Sequence, residues 1–188
     1  MSQQERVVIV GAGQAGGWVA KALRDNGYPG PISLVGNESH PPYERPPLSK
    51  DVLFGEAEAN STYIWDQKHF DELEVDLRLG AEVIDVWREK QVVYLESGEA
   101  LQYGKLVLTT GGTPRRLNVP GSDLENVDVL RDISDASKIR MSLENGGPIV
   151  VVGGGWIGLE VAASATKLGV AVTVVEASDR LCSRAAPT

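Results

Sequence analysis

The sequence predicts an α/β fold: two β-loop-α-β units with parallel strands, separated by a small antiparallel β meander. Three observations carry this. A four-residue β-branched run followed by Gly-x-Gly-x-x-Gly occurs twice. The copies are Val7-Val8-Ile9-Val10-Gly11-Ala12-Gly13-Gln14-Ala15-Gly16 and Ile149-Val150-Val151-Val152-Gly153-Gly154-Gly155-Trp156-Ile157-Gly158. They share one spacing: Gly153 follows Gly11, and Gly169 follows Gly27, by the same 142 residues (153 − 11 and 169 − 27). The runs are continuous rather than alternating, as a parallel sheet covered on both faces requires.

The first strand, residues 7–10, runs into the first glycine loop. That loop opens a helix with Ala15, Val19, Ala22 and Leu23 on one apolar stripe. Gly27 is placed to end it in a left-handed C-cap. A second strand follows at residues 32–35. Residues 40–50 contain Pro41, Pro42, Pro46 and Pro47 and are expected to form an extended loop. Residues 66–73 suit a short helix. Residues 75–79, 82–87 and 91–95 read as strands, with Ser97-Gly98-Glu99 as a turn signal. Residues 106–110 form another apolar strand, ending at Gly111-Gly112. Residues 134–144 read as a helix capped by Ser134 and stopped by Gly146-Gly147-Pro148. The second glycine loop opens a helix striped by Ile157, Val161, Ala165 and Leu168. Gly169 ends it, and a strand follows at residues 171–175.

Composition narrows the function classes. The 188 residues carry 18 Lys and Arg against 26 Asp and Glu, a net charge of −8, with 42% hydrophobic and 23% charged residues. That is a globular balance, which excludes a disordered tail, a collagen-like fibre and a coiled coil. The acidic balance argues against a nucleic-acid partner, whose phosphates need a basic face. No apolar run approaches the ~18 residues of a membrane span, and the N-terminus lacks the basic start of a signal peptide. One cysteine, Cys182, permits no internal disulfide, so a cytoplasmic setting is expected. With only His40 and His69 and no clustered Cys, a protein-bound zinc or iron–sulfur centre is not expected.

The glycine pattern has a specific physics. The first glycine makes the tight turn, the second lets backbone approach a pyrophosphate, and the third packs helix on strand. The helix-start N–H groups then face the anion. Each unit is therefore expected to bind a dinucleotide; the alternative is a purely structural strand–helix turn. The second unit ends at Glu176, 18 residues beyond Gly158, where an acid accepts hydrogen bonds from ribose hydroxyls and repels a 2′-phosphate. NAD is thus favoured over NADP, the alternative being an exposed carboxylate. The first unit has Val35-Gly36-Asn37-Glu38 at the equivalent place, with no acid in strict register. Asn37 or Glu38 could still reach a ribose.

His40-Pro41-Pro42-Tyr43-Glu44-Arg45-Pro46-Pro47-Leu48-Ser49-Lys50 closely resembles a signature of the ferredoxin and rubredoxin reductases, electron donors to bacterial oxygenases. Apoptosis-inducing factor is a more distant relative. Leu108-Thr109-Thr110-Gly111-Gly112 looks like that family's second FAD motif, and Ser183-Arg184-Ala185-Ala186-Pro187 like the segment after its NAD-ribose acid. The resemblance is strongest to the NADH-dependent reductase components of aromatic-ring dioxygenases. It implies two Rossmann-like FAD/NAD(P)-binding units of the glutathione-reductase-like, three-layer ββα kind, the second incomplete. Residues 1–114 would form the FAD-binding domain and residues 115–188 the start of the NAD-binding domain. Family members are longer, so the chain is expected to be the N-terminal part of such a reductase, with activity of its own in doubt.

The resemblance also assigns residues. Gly11, Gly13, Ala15 and Gly16 would surround the FAD pyrophosphate, with Asn37 near the adenosine ribose. Arg45 and Lys50 would lie along the flavin, Val83 at the adenine, Thr110 and Gly111 over the cofactor, and Arg131 by the pyrophosphate. Gly153, Gly155, Ile157, Gly158, Glu176 and Arg184 would hold NAD. NADH would reduce FAD, which would pass electrons to a [2Fe-2S] ferredoxin feeding an aromatic-ring dioxygenase. The alternatives are an NADH oxidase, a rubredoxin or nitrite-reductase-type flavoprotein, or an inactive nucleotide-binding fragment. Lys50, Glu160 and Trp156 are the catalytic candidates. Lys50 is expected to pair with Glu160 beside the flavin, the alternative being a loop cap and a solvated acid. Trp156 is expected to gate the flavin or simply to pack. Oligomeric state is not legible.

Overall fold

The computed structural model describes residues 5–183. Its elements are β1 (Val7–Val10), α1 (Gln14–Asp25), β2 (Ile32–Val35), α2 (Asp51–Phe54), α3 (Gln67–Glu72), β3 (Val75–Arg78), β4 (Val83–Trp87), β5 (Val92–Leu95), β6 (Ala100–Gln102), β7 (Lys105–Leu108), α4 (Ile133–Glu144), β8 (Ile149–Val152), α5 (Trp156–Lys167) and β9 (Val172–Val175). The described residues fall into two compact units, one from residues 5–44 and 63–112, the other from residues 45–62 and 113–183. Residues 45–62, which precede the expected domain boundary at residue 114, thus pack with the second unit.

In the first unit β1 lies between two parallel neighbours, in a sheet of order β3-β2-β1-β7. All four residues of β1 and of β2 are buried. Val7 and Ile9 face one side, where Ala20 of α1 and Phe70 of α3 pack on Ile32 and Leu34. Val8 and Val10 face the other, against Val93, Leu95 and Leu101 of the antiparallel β4-β5-β6 meander. Helix, parallel sheet and meander make the three-layer ββα arrangement. Burying each such Val, Ile or Leu contributes roughly 1.5–3 kcal/mol.

The second unit pairs β8 with β9 in parallel. One face packs through Ile149 and Val172 against Leu53 of α2, Leu143 of α4 and Ala165 of α5. On the other face Val150 is 64% and Val152 57% exposed. The two-sided burial expected from the apolar run is therefore met in β1 but not in β8, because among the described residues nothing covers that second face.

Other local expectations shift. Helices α1 and α5 each end in a left-handed glycine, Gly27 (φ 74°) and Gly169 (φ 77°). Each has the paired bonds of a Schellman cap: Tyr28 N–H to Leu23 O at 2.9 Å and Val170 N–H to Ala165 O at 3.0 Å. The buried face of α1 is Gly16, Gly17 and Ala20, whereas Ala15 and Ala22 are exposed. Helix α5 buries Ser164 and Ala165 and leaves Ile157 and Leu168 outside. The glycines and small residues win those faces because they allow close approach to the sheet. The cap of α4 is Asp132 rather than Ser134. Asp132 Oδ1 accepts from Asp135 N–H at 2.9 Å, and Asp135 Oδ2 accepts from Asp132 N–H at 3.2 Å. The proline segment is not extended throughout. Pro46–Ser49 is a 3-10 turn, since a fixed φ near −65° suits a first helical turn.

Candidate functional site

The two glycine turns have nearly the same backbone. Gly11 and Gly153 have φ of 109° and 106°. Gly13 and Gly155 cap the helices with extended backbone and no side-chain hydrogen bond. The first helical bonds are Gly17 N–H to Gly13 O and Leu159 N–H to Gly155 O, each 3.0 Å. The amides just before them are those a helix start leaves without a carbonyl. A Cβ on Gly13 or Gly155 would meet nothing within 4 Å, so both turns present bare backbone to open space. A Cβ on Gly16 would lie 2.0 Å from Gly11 O, and one on Gly158 2.1 Å from Gly153 O. Both third glycines are therefore obligatory, and both turns fit a pyrophosphate.

The strand ends beside the turns differ. Gly11 N–H bonds Val35 O and Gly153 N–H bonds Val175 O, so Gly36 and Glu176 occupy matching positions. Glu176 accepts from Gly154 N–H at 2.7 Å and Ser178 N–H at 2.8 Å. Those backbone donors, Ser178 first, hold its carboxyl below the usual range. Gly36 faces Ala12, whose Cβ would lie 2.5 Å from any Cβ at residue 36. Asn37 is exposed, and Glu38 accepts from the Tyr43 hydroxyl.

The second unit contains the expected ion pair. Lys50 Nζ lies 2.9 Å from Glu160 Oε1, with the side chains 47% and 29% exposed. Glu160 Oε2 accepts from the Ser49 hydroxyl at 2.5 Å. The Ser49 bond first, then Lys50, holds the Glu160 carboxyl below its ordinary value against partial burial. Lys50 also donates to Pro46 O at 3.2 Å, and the Ser164 hydroxyl to Ser49 O at 3.0 Å. Nearby, Arg45 donates to Arg131 O at 2.5 Å, and Arg131 N–H to Asp135 Oδ2 at 2.8 Å.

Of the remaining predicted residues, Ala15 is exposed beside the first turn. Val83 opens β4 opposite Leu95, next to a bulge. Thr110 and Gly111 follow β7 in the open, Gly111 with φ of 69°. Trp156 is 63% exposed at the start of α5, with Ile157 exposed beside it. Arg184 lies outside the described residues. Sequence reasoning passed over Thr109, whose hydroxyl donates to Gly11 O at 2.8 Å, and over Ser49 and Ser164. A polar residue four positions after Glu160 on an apolar helix was the available signal for Ser164. Among the described residues no group of three or more His, Cys, Asp or Glu could hold a metal ion, and no helix is long and apolar enough to cross a membrane.

Residues 5–188 match the family model of the pyridine nucleotide-disulphide oxidoreductases. The chain is 46% identical over 179 residues to the ferredoxin–NAD(+) reductase component of the p-cumate 2,3-dioxygenase system of Pseudomonas putida, covering 95% of the chain and 44% of that relative. It is 40% identical over 178 residues to a rubredoxin–NAD(+) reductase of Pseudomonas putida, covering 95% and 46%. The reductase in a covalent putidaredoxin reductase–putidaredoxin complex matches with a TM-score of 0.89 at 41% identity, covering 97% of this chain and 45% of that one. The chain thus spans less than half the length of these relatives. Two glycine turns of one geometry, a three-layer first unit and this likeness agree: the chain belongs to the pyridine nucleotide-disulphide oxidoreductases, a family that binds FAD and NAD.

Proposed function

We propose that this chain is the nucleotide-binding portion of an FAD-dependent ferredoxin–NAD(+) reductase that serves an aromatic-ring-hydroxylating dioxygenase through a [2Fe-2S] ferredoxin. The observation that carries this reading is the pair of matched glycine turns, each with an open helix start. Identity of 46% to a dioxygenase reductase component supports the choice of partner.

Residues 1–114 are read as the FAD-binding domain and residues 115–188 as the start of the NAD-binding domain. Gly11, Gly13, Ala15 and Gly16 present backbone to the FAD pyrophosphate, with Arg131 adding charge. Asn37 and Val83 meet the adenosine end, and Thr110 and Gly111 cover the cofactor. Gly153, Gly155, Ile157 and Gly158 receive the NAD pyrophosphate, and the Glu176 carboxylate accepts from the ribose hydroxyls. When bound, the two cofactors supply hydride transfer from nicotinamide to flavin N5 and single-electron release to the acceptor. Lys50 places a positive charge beside the flavin, with Arg45 near it. With the cofactor bound, a positive charge there would stabilise negative charge developing on it. Glu160 holds Lys50, and Trp156 shields the ring.

Purification tests the reading directly. A yellow protein with near-stoichiometric flavin, reduced faster by NADH than by NADPH, is expected of a competent FAD site; a colourless product would overturn that and favour an inactive nucleotide-binding fragment. Rubredoxin is the second acceptor, favoured by the 40% identity to a rubredoxin reductase. Reduction rates for a [2Fe-2S] ferredoxin and a rubredoxin, measured side by side, choose between them.

A further inference from the structure

The Lys50–Glu160 pair stands in a network that reaches beyond it. Ser49 and Ser164 are both buried. Glu160 and Ser164 are four residues apart on α5 and so share a face. The Ser164 hydroxyl bonds the carbonyl of Ser49, the peptide that leads directly into Lys50. The Ser49 hydroxyl bonds Glu160 Oε2, leaving Oε1 to Lys50. Each carboxylate oxygen thus has one donor, and both donors come from adjacent residues of one anchored turn.

We infer that Ser49 is a positioning residue: its hydroxyl fixes the orientation of the Glu160 carboxylate, and through it the location of the Lys50 ammonium, with Ser164 anchoring the backbone between them. An exposed lysine–glutamate pair alone would sample several rotamers and contribute little. The short hydroxyl bond removes that freedom on the carboxylate side. The lowered Glu160 carboxyl, in which the Ser49 bond is the leading cause, agrees with this. The inference deepens the reading of Lys50 as a charge beside the flavin and rests on it only for its consequence at the cofactor.

The test follows the Glu160 carboxyl by 13C NMR titration in the whole chain. In Ser49→Ala its midpoint should shift up toward the ordinary carboxylate value, and in Ser49→Thr, which keeps the hydroxyl, it should return. In Lys50→Met the midpoint should stay below the ordinary value, a result that does not require any Ser49 variant to fold. An unmoved midpoint in Ser49→Ala, or full loss of the depression in Lys50→Met, overturns the inference. The flavin reduction potential is then measured in the loaded protein. It should fall in Ser49→Ala and recover in Ser49→Thr. If the carboxyl moves while the potential does not, Ser49 still positions the pair and the placement of Lys50 at the flavin fails instead.

Discussion

The two glycine turns are one local structure in two settings. Position by position, 142 residues apart, they share the φ of the first glycine, the bare second glycine, the clash-guarded third glycine and the Schellman end. Their surroundings differ. A Cβ on Gly11 would lie 2.2 Å from Thr109 O, because β7 flanks β1; a Cβ on Gly153 would meet nothing within 4 Å. The position of Trp18 in α1, which packs edge-on to Trp65 at 4.8 Å, holds Glu160 in α5. The pair Ala12 and Gly36 in the first turn becomes Gly154 and Glu176 in the second, exchanging which partner carries bulk. The lesson is that the motif's backbone comes from local chemistry, while its selectivity comes from what stands next to it.

The largest expected effects break the comparison at the first glycine. Gly11→Ala combines an unfavourable φ with a backbone clash and should cost more than ~3 kcal/mol. Gly153→Ala carries the strain alone and should cost about 1–2 kcal/mol. Denaturant unfolding checks the difference; equal losses would mean that β7 does not constrain the first turn. Gly16→Ala and Gly158→Ala should harm their turns alike, since the clashes are 2.0 and 2.1 Å.

Next come the strand ends. Glu176→Gln should weaken NADH binding by roughly tenfold and narrow its advantage over NADPH, read by equilibrium titration. Gly36→Glu should not transplant this preference, because residue 36 has no room for a Cβ beside Ala12. The double variant Ala12→Gly with Gly36→Glu should fold better than Gly36→Glu alone. A melting-temperature comparison decides this.

Acid should separate the units more gently. Glu160 and Glu176 are held below their ordinary values in the fold. Each therefore contributes stability that is present above the unfolded carboxylate pKa and is lost as pH falls through the folded one. The matching residues of the first unit, Trp18 and Gly36, do not titrate. Amide protection factors in β8 and β9 should fall below about pH 4.5 more than those in β1 and β2, and Glu160→Gln should blunt the difference. The smallest stability effect belongs to Trp156→Ala, expected within ~0.5 kcal/mol because the ring is largely exposed. Flavin fluorescence should rise in that variant if the indole lies on the ring, and stay level if it does not.

Much of this was legible from the residues. Glycine spacing dictated both turns and both caps, because only glycine tolerates φ near +75° and +107° at those places. The Lys50–Glu160 pair was foreseen through resemblance, and it forms. The cap of α4 was misplaced by two residues because Ser134 and Asp132 are both good caps, and only the reciprocal bonds to Asp135 choose between them. Ser49 was hidden inside a proline segment whose compact turn no periodicity announces.

The amino-acid sequence by itself determined the strand–turn–helix units, their glycine geometry and the family, since these depend on residues within a few positions of one another. Only the tertiary structure decided which strand is sheathed on both faces, that residues 45–62 join the second unit, and that Ser49 and Ser164 converge on Glu160. The reason is range. Burial and side-chain hydrogen bonds join groups more than a hundred residues apart, and no local propensity encodes such a meeting.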